Sequence, residues 1–251
     1  MPKFFIKNNQ IKNNIVTILG EYVNHIANVL RIKIGEEIQV CNTDTTENYN
    51  VKLHTIQKDK IECEITEKIK SEAESYINLT IFQGIPKSDK MELIIQKSTE
   101  LGVKQIYPVQ MERCISKISQ KDEKKKIERW QKISEVAAKQ SGRDVIPQIN
   151  FTIKVKDICE YIKKFDIIIV PYEKEQEYSF KESLEFFKNL KSQKTSIGIV
   201  IGPEGGFEPD EINLLKNAGA KIVTLGKRIL RTETVALAMA SVIMYELGGS
   251  I

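Results

Sequence analysis

The chain has 251 residues, 41% hydrophobic and 29% charged, with a net charge of +4; this is a globular composition able to bury its own core, which excludes the disordered and fibrous classes. Four cysteines, Cys41, Cys63, Cys114 and Cys159, make no CxxC pair, and His25 and His54 are the only histidines, so neither a zinc site nor a disulfide framework is expected and no metal is predicted. The longest apolar run, "VALAMASVIMY" at 235–245, is too short for a span of about 20 residues, and the start "MPKFFIKNNQ" has no secretory h-region. No membrane association and a cytoplasmic location are therefore expected.

Up to about residue 70 the chain runs through short β-branched and aromatic segments, "FFIK", "NIVTIL", "EIQVCN", "YNVKLHTI" and "KIECEIT", which read as strands of a small barrel. One helix interrupts them: "EYVNHIANVLRI" places Val23, Ile26, Ala27 and Leu30 at i, i+3, i+4 and i+7. The polar segment "EKIKSEAES" at 67–75 reads as a connection, which puts the domain boundary at 72, with domains 1–72 and 73–251.

Strands and helices then alternate, which signals an α/β architecture. Strand "INLTIFQGI" leads to a helix at 88–101 that buries Met91, Ile94, Ile95 and Ser98 and ends at Gly102; "KQIYPV" follows, then a helix at 122–140. The series continues with a helix at 155–164, strand "DIIIVPY", helix "SFKESLEFFKNL" at 179–190, strand "SIGIVIGP", a helix at 208–218, strand "KIVTLG" and a last helix at 233–247. Continuous apolar strands point to a parallel sheet covered on both faces, and pattern alone suggests a doubly wound sheet.

In such a sheet ligands gather at the carboxyl ends of strands, which is where "IGPEGGFEPDE" (201–211) lies. Gly202, Gly205 and Gly206 suit either close approach to a ligand or a tight turn without one. Phosphate fits poorly: there is no P-loop lysine, and Glu208, Asp210 and Glu211 would repel it while already complementing the next helix, with Pro209 at its first position. An uncharged or cationic ligand held by backbone fits better. About 20 residues on, "VTLGKRILRTETVALAMA" sets Arg228 and Arg231 on one loop with Glu233 beside them, and Thr232 or Thr234 is a candidate helix cap.

Together "IGPEGGF" and "LGKRILRTET" resemble the two C-terminal signatures of SPOUT-class RNA methyltransferases, and more narrowly the RsmE family of small-subunit uridine-N3 methyltransferases. The similarity extends to "HIANVLRIKIGEEI" (25–38), "GIPKSDKMELIIQKSTELGV" (84–103) and "AAKQSGRDVIP" (137–147). It implies a PUA-like RNA-binding β-barrel followed by a SPOUT α/β domain whose last segments tie a deep trefoil knot. It also implies S-adenosylmethionine as cofactor, a homodimer, and 16S rRNA, within the small ribosomal subunit, as substrate.

Carried onto this sequence, the resemblance implies a cofactor pocket of Val170, Pro171 and Tyr172; Gly202, Pro203, Glu204, Gly205 and Gly206; and Leu225, Gly226, Arg228, Ile229, Leu230 and Thr232. Arg231 is the candidate orienter of the base or stabiliser of its anion, and Glu233 the candidate proton acceptor. RNA contacts are assigned to Lys3, His25, Arg31, Lys87, Lys90 and Arg143, with Arg143 expected to project from its loop; His25 has an equally good structural reading. Three positions depart from the family pattern: Lys3 for arginine, Cys114 for serine and Val235 for alanine. A different RNA target, or a non-catalytic RNA-binding homologue, are the competing readings.

Overall fold

Alternating burial makes the strands of the N-terminal region: Val16 and Ile18, Val51 and Leu53, and Ile61 and Cys63 point inward while Lys52 and Glu64 face water. A computed structural model describes residues 1–70, 73–188 and 194–248. It divides into two compact units, Met1–Glu74 with Ala138–Ile146, and Ser75–Ala137 with the described residues from Pro147 onward. The sequence boundary at 72 lies outside the described residues.

The first unit carries β1 (Lys3–Ile6), β2 (Ile11–Lys12), β3 (Ile15–Leu19), β4 (Glu37–Asn42), β5 (Asn48–Ile56) and β6 (Lys60–Ile69) in one sheet of order β1-β4-β5-β6-β3-β2. All neighbours are antiparallel except β1 and β4. Asn13 and Asn14, both at positive φ, turn β2 into β3, a two-residue hairpin whose first strand is not among the expected segments. Register shifts at Asn50/Val51 and Leu53/Thr55 curl the sheet. The curl makes a half-barrel with β1 and β2 at its edges, the open form taken by the small barrel expected.

The predicted helix over 21–32 also differs. Only α1 (Glu21–Asn24) is α-helical; a π-helical turn, His25–Val29, follows, and Leu30 N–H donates to His25 O at 2.8 Å. One extra residue in the turn breaks the 3.6 period. Val23 and Ile26 stay buried while Leu30 is 41% exposed.

The second unit is a fully parallel sheet of order β10-β8-β7-β12-β11-β13, with β9 also beside β8. Its strands are β7 (Ile77–Gly84), β8 (Gln105–Gln110), β9 (Gln148–Ile149), β10 (Ile153–Lys154), β11 (Ile167–Pro171), β12 (Thr195–Ile201) and β13 (Lys221–Val223). Its helices are α2 (Lys90–Glu100), α3 (Gln120–Gln140, whose last residues group with the first unit), α4 (Val155–Tyr161), α5 (Phe180–Lys188), α6 (Pro209–Asn217) and α7 (Thr232–Leu247). The last two residues of the helix expected at 179–190 lie outside the described residues. β13 stops three residues short of the expected "KIVTLG" because Thr224 leaves β11 to bridge Ser179.

Burial on both sheet faces explains the continuous apolar strands: Ile77, Leu79, Ile81, Ile197, Ile199 and Ile201 pack one layer, and Phe82, Val170 and Val200 the other. α2 buries Met91, Ile94, Ile95 and Ser98 as its spacing requires. It closes through Gly102 at φ +91, with Gly102 N–H bonded to Thr99 O and Val103 N–H to Ser98 O. α7 buries Thr232, Ala236, Met239, Ala240, Ile243, Met244 and Leu247, one helical stripe laid on α2, α5, β7 and β12.

Candidate active site

Three neighbouring strands, β12, β11 and β13, release their chains at the same edge of the sheet, and their loops wall a cavity of about 980 Å³. This is the carboxyl-end position where open α/β sheets bind ligands. Pro171 and Tyr172 come from the end of β11 and the loop after it, Gly202, Pro203, Glu204, Gly205 and Gly206 from the loop after β12, Leu225, Gly226, Arg228, Ile229 and Leu230 from that after β13, and Thr232 from the first residue of α7. Val170 is not in the wall; it is fully buried in the apolar core beneath.

Packing constrains the glycines. A Cβ on Gly202 would lie 3.1 Å from the Phe207 ring and one on Gly205 3.0 Å from Arg113 Cβ, while Gly206 sits at φ +69. Close packing at the first two and the left-handed backbone at the third favour glycine even without a ligand, so the volume, not the glycine content, marks a binding site. The loop is further clamped by Arg113, whose Nε donates to Glu208 Oε1 at 2.8 Å and whose Nη1 donates to Gly205 O at 3.1 Å. Glu208, hydrogen-bonded to Arg113, has its carboxyl held below the usual range. Glu211 accepts the backbone N–H groups of Glu208 and Glu112, so the start of α6 is satisfied by its own acids and offers no anion site.

The entry to α7 is locked from the side. Thr232 is the first residue of the helix and its side chain does not cap it, contrary to expectation; Arg231 occupies the cap position without a side-chain bond. The Thr232 hydroxyl instead donates to Gly202 O at 2.7 Å and accepts from Gln83 Nε2 at 2.8 Å. Gln83 in turn donates to Gly84 O at 2.9 Å. A Cβ on Gly84 would lie 2.7 Å from Pro203 N and Cδ, so the end of β7 and the glycine loop touch backbone to backbone.

Arg231 is exposed on the cavity wall, as are Lys227 and Arg228. Glu233, half-buried, places Oε2 at 3.4 Å from Lys90 Nζ, and this oxygen accepts no hydrogen bond. Glu204 Oε1 lies 2.9 Å from the same ammonium, and the Lys87 backbone N–H reaches both Glu204 oxygens at 3.1 and 3.3 Å. Burial would raise the Glu204 carboxyl, but hydrogen bonds from Lys90 and backbone amides outweigh it and hold it below the usual range. Glu204 therefore braces its loop while facing the cavity. Val235, bulkier than the family's alanine, lines the cavity wall.

The candidate RNA residues scatter. Lys90 faces the cavity and Lys87 is exposed before α2, with Ser88 next to it at φ +53. In the first unit Arg143 does not project: it is 3% exposed, and its Nε and Nη2 donate to the two Glu74 oxygens at 3.1 and 2.7 Å. Glu74 also accepts the N–H groups of Asp144 and Val145, so the guanidinium completes a buried turn. Lys3 pairs with buried Asp144 and donates to Gly142 O at 3.1 Å. His25 packs edge-on against Phe4, with its Nδ1 3.4 Å from Lys139 Nζ; burial and then that ammonium push its pKa down. Arg31 is exposed, at φ +55. Cys114 accepts Met111 N–H within its turn at 3.4 Å, the bond that a serine would also make.

Sequence reasoning missed Gln83, Gly84, Arg113, Glu173 and Glu175. "QG" at the end of a strand is a signal for the first two; for Arg113, whose partners lie more than 90 residues away, no local signal exists. Among the described residues no cluster of three metal-ligating side chains occurs, and no helix is long and apolar enough to cross a membrane.

The wall chemistry fits S-adenosylmethionine: backbone and apolar surface from Ile201, Phe207 and Leu225, with carboxylates at Glu173, Glu175 and Glu204 and no satisfied phosphate cradle. Fold and cavity together define an RNA methyltransferase with a PUA domain: the RNA methyltransferase domain family matches residues 73–244, and the RNA methyltransferase PUA domain family matches 18–66. A ribosomal RNA small subunit methyltransferase E from Bacillus subtilis is 36% identical over 92% of this chain and 90% of its own. The same enzyme from Neisseria gonorrhoeae, solved bound to S-adenosyl methionine, superposes with a TM-score of 0.84 at 31% identity, covering 99% of this chain and 98% of that one. A putative Legionella pneumophila methyltransferase in complex with the same cofactor gives 0.82 at 27% identity, covering 97% and 96%. The chain belongs to the ribosomal RNA small subunit methyltransferase E family.

Proposed function

We propose that this protein uses S-adenosylmethionine to methylate N3 of a uridine in the 16S rRNA of the small ribosomal subunit. The observation that carries the reading is the cavity at the ends of β11, β12 and β13, walled by backbone and edged by Arg231 with Glu233 beside it. When bound, the cofactor supplies an electrophilic methyl group and takes back the electron pair of its carbon–sulfur bond. Arg231, exposed and without a capping bond, orients the uracil and stabilises the negative charge on its imide. Glu233 accepts the N3 proton as the nitrogen–methyl bond forms, then releases it to water. The Thr232 hydroxyl and Arg113 hold the cofactor loop in the geometry that in-line transfer requires.

The domain division proposed is 1–72 for RNA binding and 73–251 for catalysis, with a trefoil knot in the latter. The seating of Thr232 on Gly202 and of Pro203 on Gly84 supports such a close threading of the C-terminal segment. A homodimer is proposed, supported by Val242 and Tyr245 standing 41% and 76% exposed on otherwise apolar α7. The proposed setting is cytoplasmic, where the rRNA substrate is. Incubation with labelled methyl donor and undermethylated small subunits, followed by mass-spectrometric mapping, should place the label on uridine N3; label elsewhere refutes the assignment. Arg231→Ala should lower turnover at least a hundredfold, and full activity in that variant would refute its role.

A further inference from the structure

Lys90, the first residue of α2, faces the cavity and reaches two carboxylates: Glu204 in the cavity wall on the glycine loop at 2.9 Å, and Glu233 at the start of α7, beside that wall, at 3.4 Å. Its side chain is 30% exposed and that of Glu233 only 15%. Without the ammonium, the two carboxylates would be left as uncompensated like charges, one of them largely out of water. With it, Glu233 Oε2 is charge-balanced by an ammonium 3.4 Å away. That oxygen is buried and Glu233 follows the cavity-lining Arg231 and Thr232 directly in the chain, so the ion pair sets the position of the proposed acceptor carboxylate. A lysine that binds RNA phosphate has the opposite surroundings: it stands in water with its charge uncompensated by local anions. Exposed Lys87, three residues earlier, answers that description; Lys90 does not.

We propose that Lys90 is a positioning residue of the methyl-transfer site, fixing Glu204 and Glu233 in one charge triad that holds Glu233 as acceptor for the base, and that it makes no RNA phosphate contact. The inference rests on the methyltransferase reading above. The triad couples the glycine loop to the start of α7, so loss of the cation moves both carboxylates and misplaces the acceptor.

The test measures steady-state methylation of undermethylated small subunits, with cofactor affinity by calorimetry, for wild type, Lys90→Met, Lys90→Arg, Glu233→Gln and the Lys90→Met/Glu233→Gln pair. Expected are a fall of about tenfold or more in kcat for Lys90→Met, an unchanged KM for RNA with an unchanged salt dependence, and recovery of most of the rate in Lys90→Arg. The double variant should be no slower than Glu233→Gln alone, since both changes disable one unit. A raised KM for RNA with a shallower salt slope in Lys90→Met, or additive losses in the double variant, overturns the proposal. Cofactor binding by each variant shows that it is folded; if Lys90→Met fails this control, Lys90→Gln carries the same comparison. A wild type that binds cofactor but methylates no RNA sinks the function itself, and this inference with it, whereas an active wild type with an indifferent Lys90→Met sinks only the inference.

Discussion

Thr232→Val removes one hydroxyl at almost constant volume, at a residue only 5% exposed. The hydroxyl donates to Gly202 O at 2.7 Å and accepts from Gln83 Nε2 at 2.8 Å, and both bonds vanish. Gln83 Nε2 keeps Gly84 O at 2.9 Å, so the amide retains a partner while the Gly202 carbonyl faces a methyl group. A buried polar group left without a partner costs about 1–3 kcal/mol, which sets the expected loss near about 2 kcal/mol. For a chain of this size that corresponds to a melting point lower by about 4–8 °C. Because Gly202 and Thr232 both line the cavity, the same loosening weakens S-adenosylmethionine binding, by at most about thirtyfold if all of it falls on the bound loop. Scanning calorimetry and titration calorimetry on wild type, Thr232→Val and Thr232→Ser measure both quantities. Serine keeps the hydroxyl and should restore most of the stability and affinity. A valine variant that melts and binds like wild type, or a serine variant as impaired as valine, would refute the lock.

Gly84→Ala drives a methyl to 2.7 Å from Pro203 backbone and ring; overpacking of this kind costs about 1–3 kcal/mol, and thermal melts should show it, with cofactor affinity falling alongside. The Glu204 carboxyl has its folded-state pKa below its ordinary value of 4.5, so its stabilisation is present above that value and is lost as pH falls through the folded one. Melting curves between pH 7 and pH 3 should therefore fall less steeply for Glu204→Gln than for wild type; parallel curves would contradict the brace. Burial pushes the Cys41 and Cys63 thiols up to about 12, so neither should react with an aromatic disulfide reagent in the native protein at pH 8, and both should react in denaturant, as read by mass spectrometry.

What the sequence made legible was local. The strand before "GPEGG", the acids that close α6 and the helix after "RTET" are all decided by neighbours within a turn or two, and each appears in the structure where the residue chemistry requires it. The glycine loop's lining of a cavity follows from its place at the end of a parallel strand. The rest depends on partners that no periodicity can see. Lys90 meets Glu204 and Glu233 only because β12 lies beside β7, and Arg113 meets Gly205 across more than 90 residues. Arg143 followed a glycine turn and so resembled a projecting loop residue, but Glu74 draws it inward. The helix at 21–32 failed for a subtler reason: a π turn keeps the helical composition while shifting its phase, and only Leu30, turned outward, betrays it.

The position of β12 between β7 and β11 sets the order in which the chain emerging from a ribosome is able to fold. β7 meets β8 across a short connection, but its other neighbour, with Ile77 beside Thr195, is synthesised more than a hundred residues later. Until residue 201 has left the exit tunnel, β7 waits with one unpaired edge and β11 with two, since β13 follows later still, and the apolar faces of Ile81 and Ile169 have no central strand to close on. Nascent chains arrested before that point should thus bind holdase chaperones and be readily cut by proteases, and protection should arrive in one step as β12 inserts.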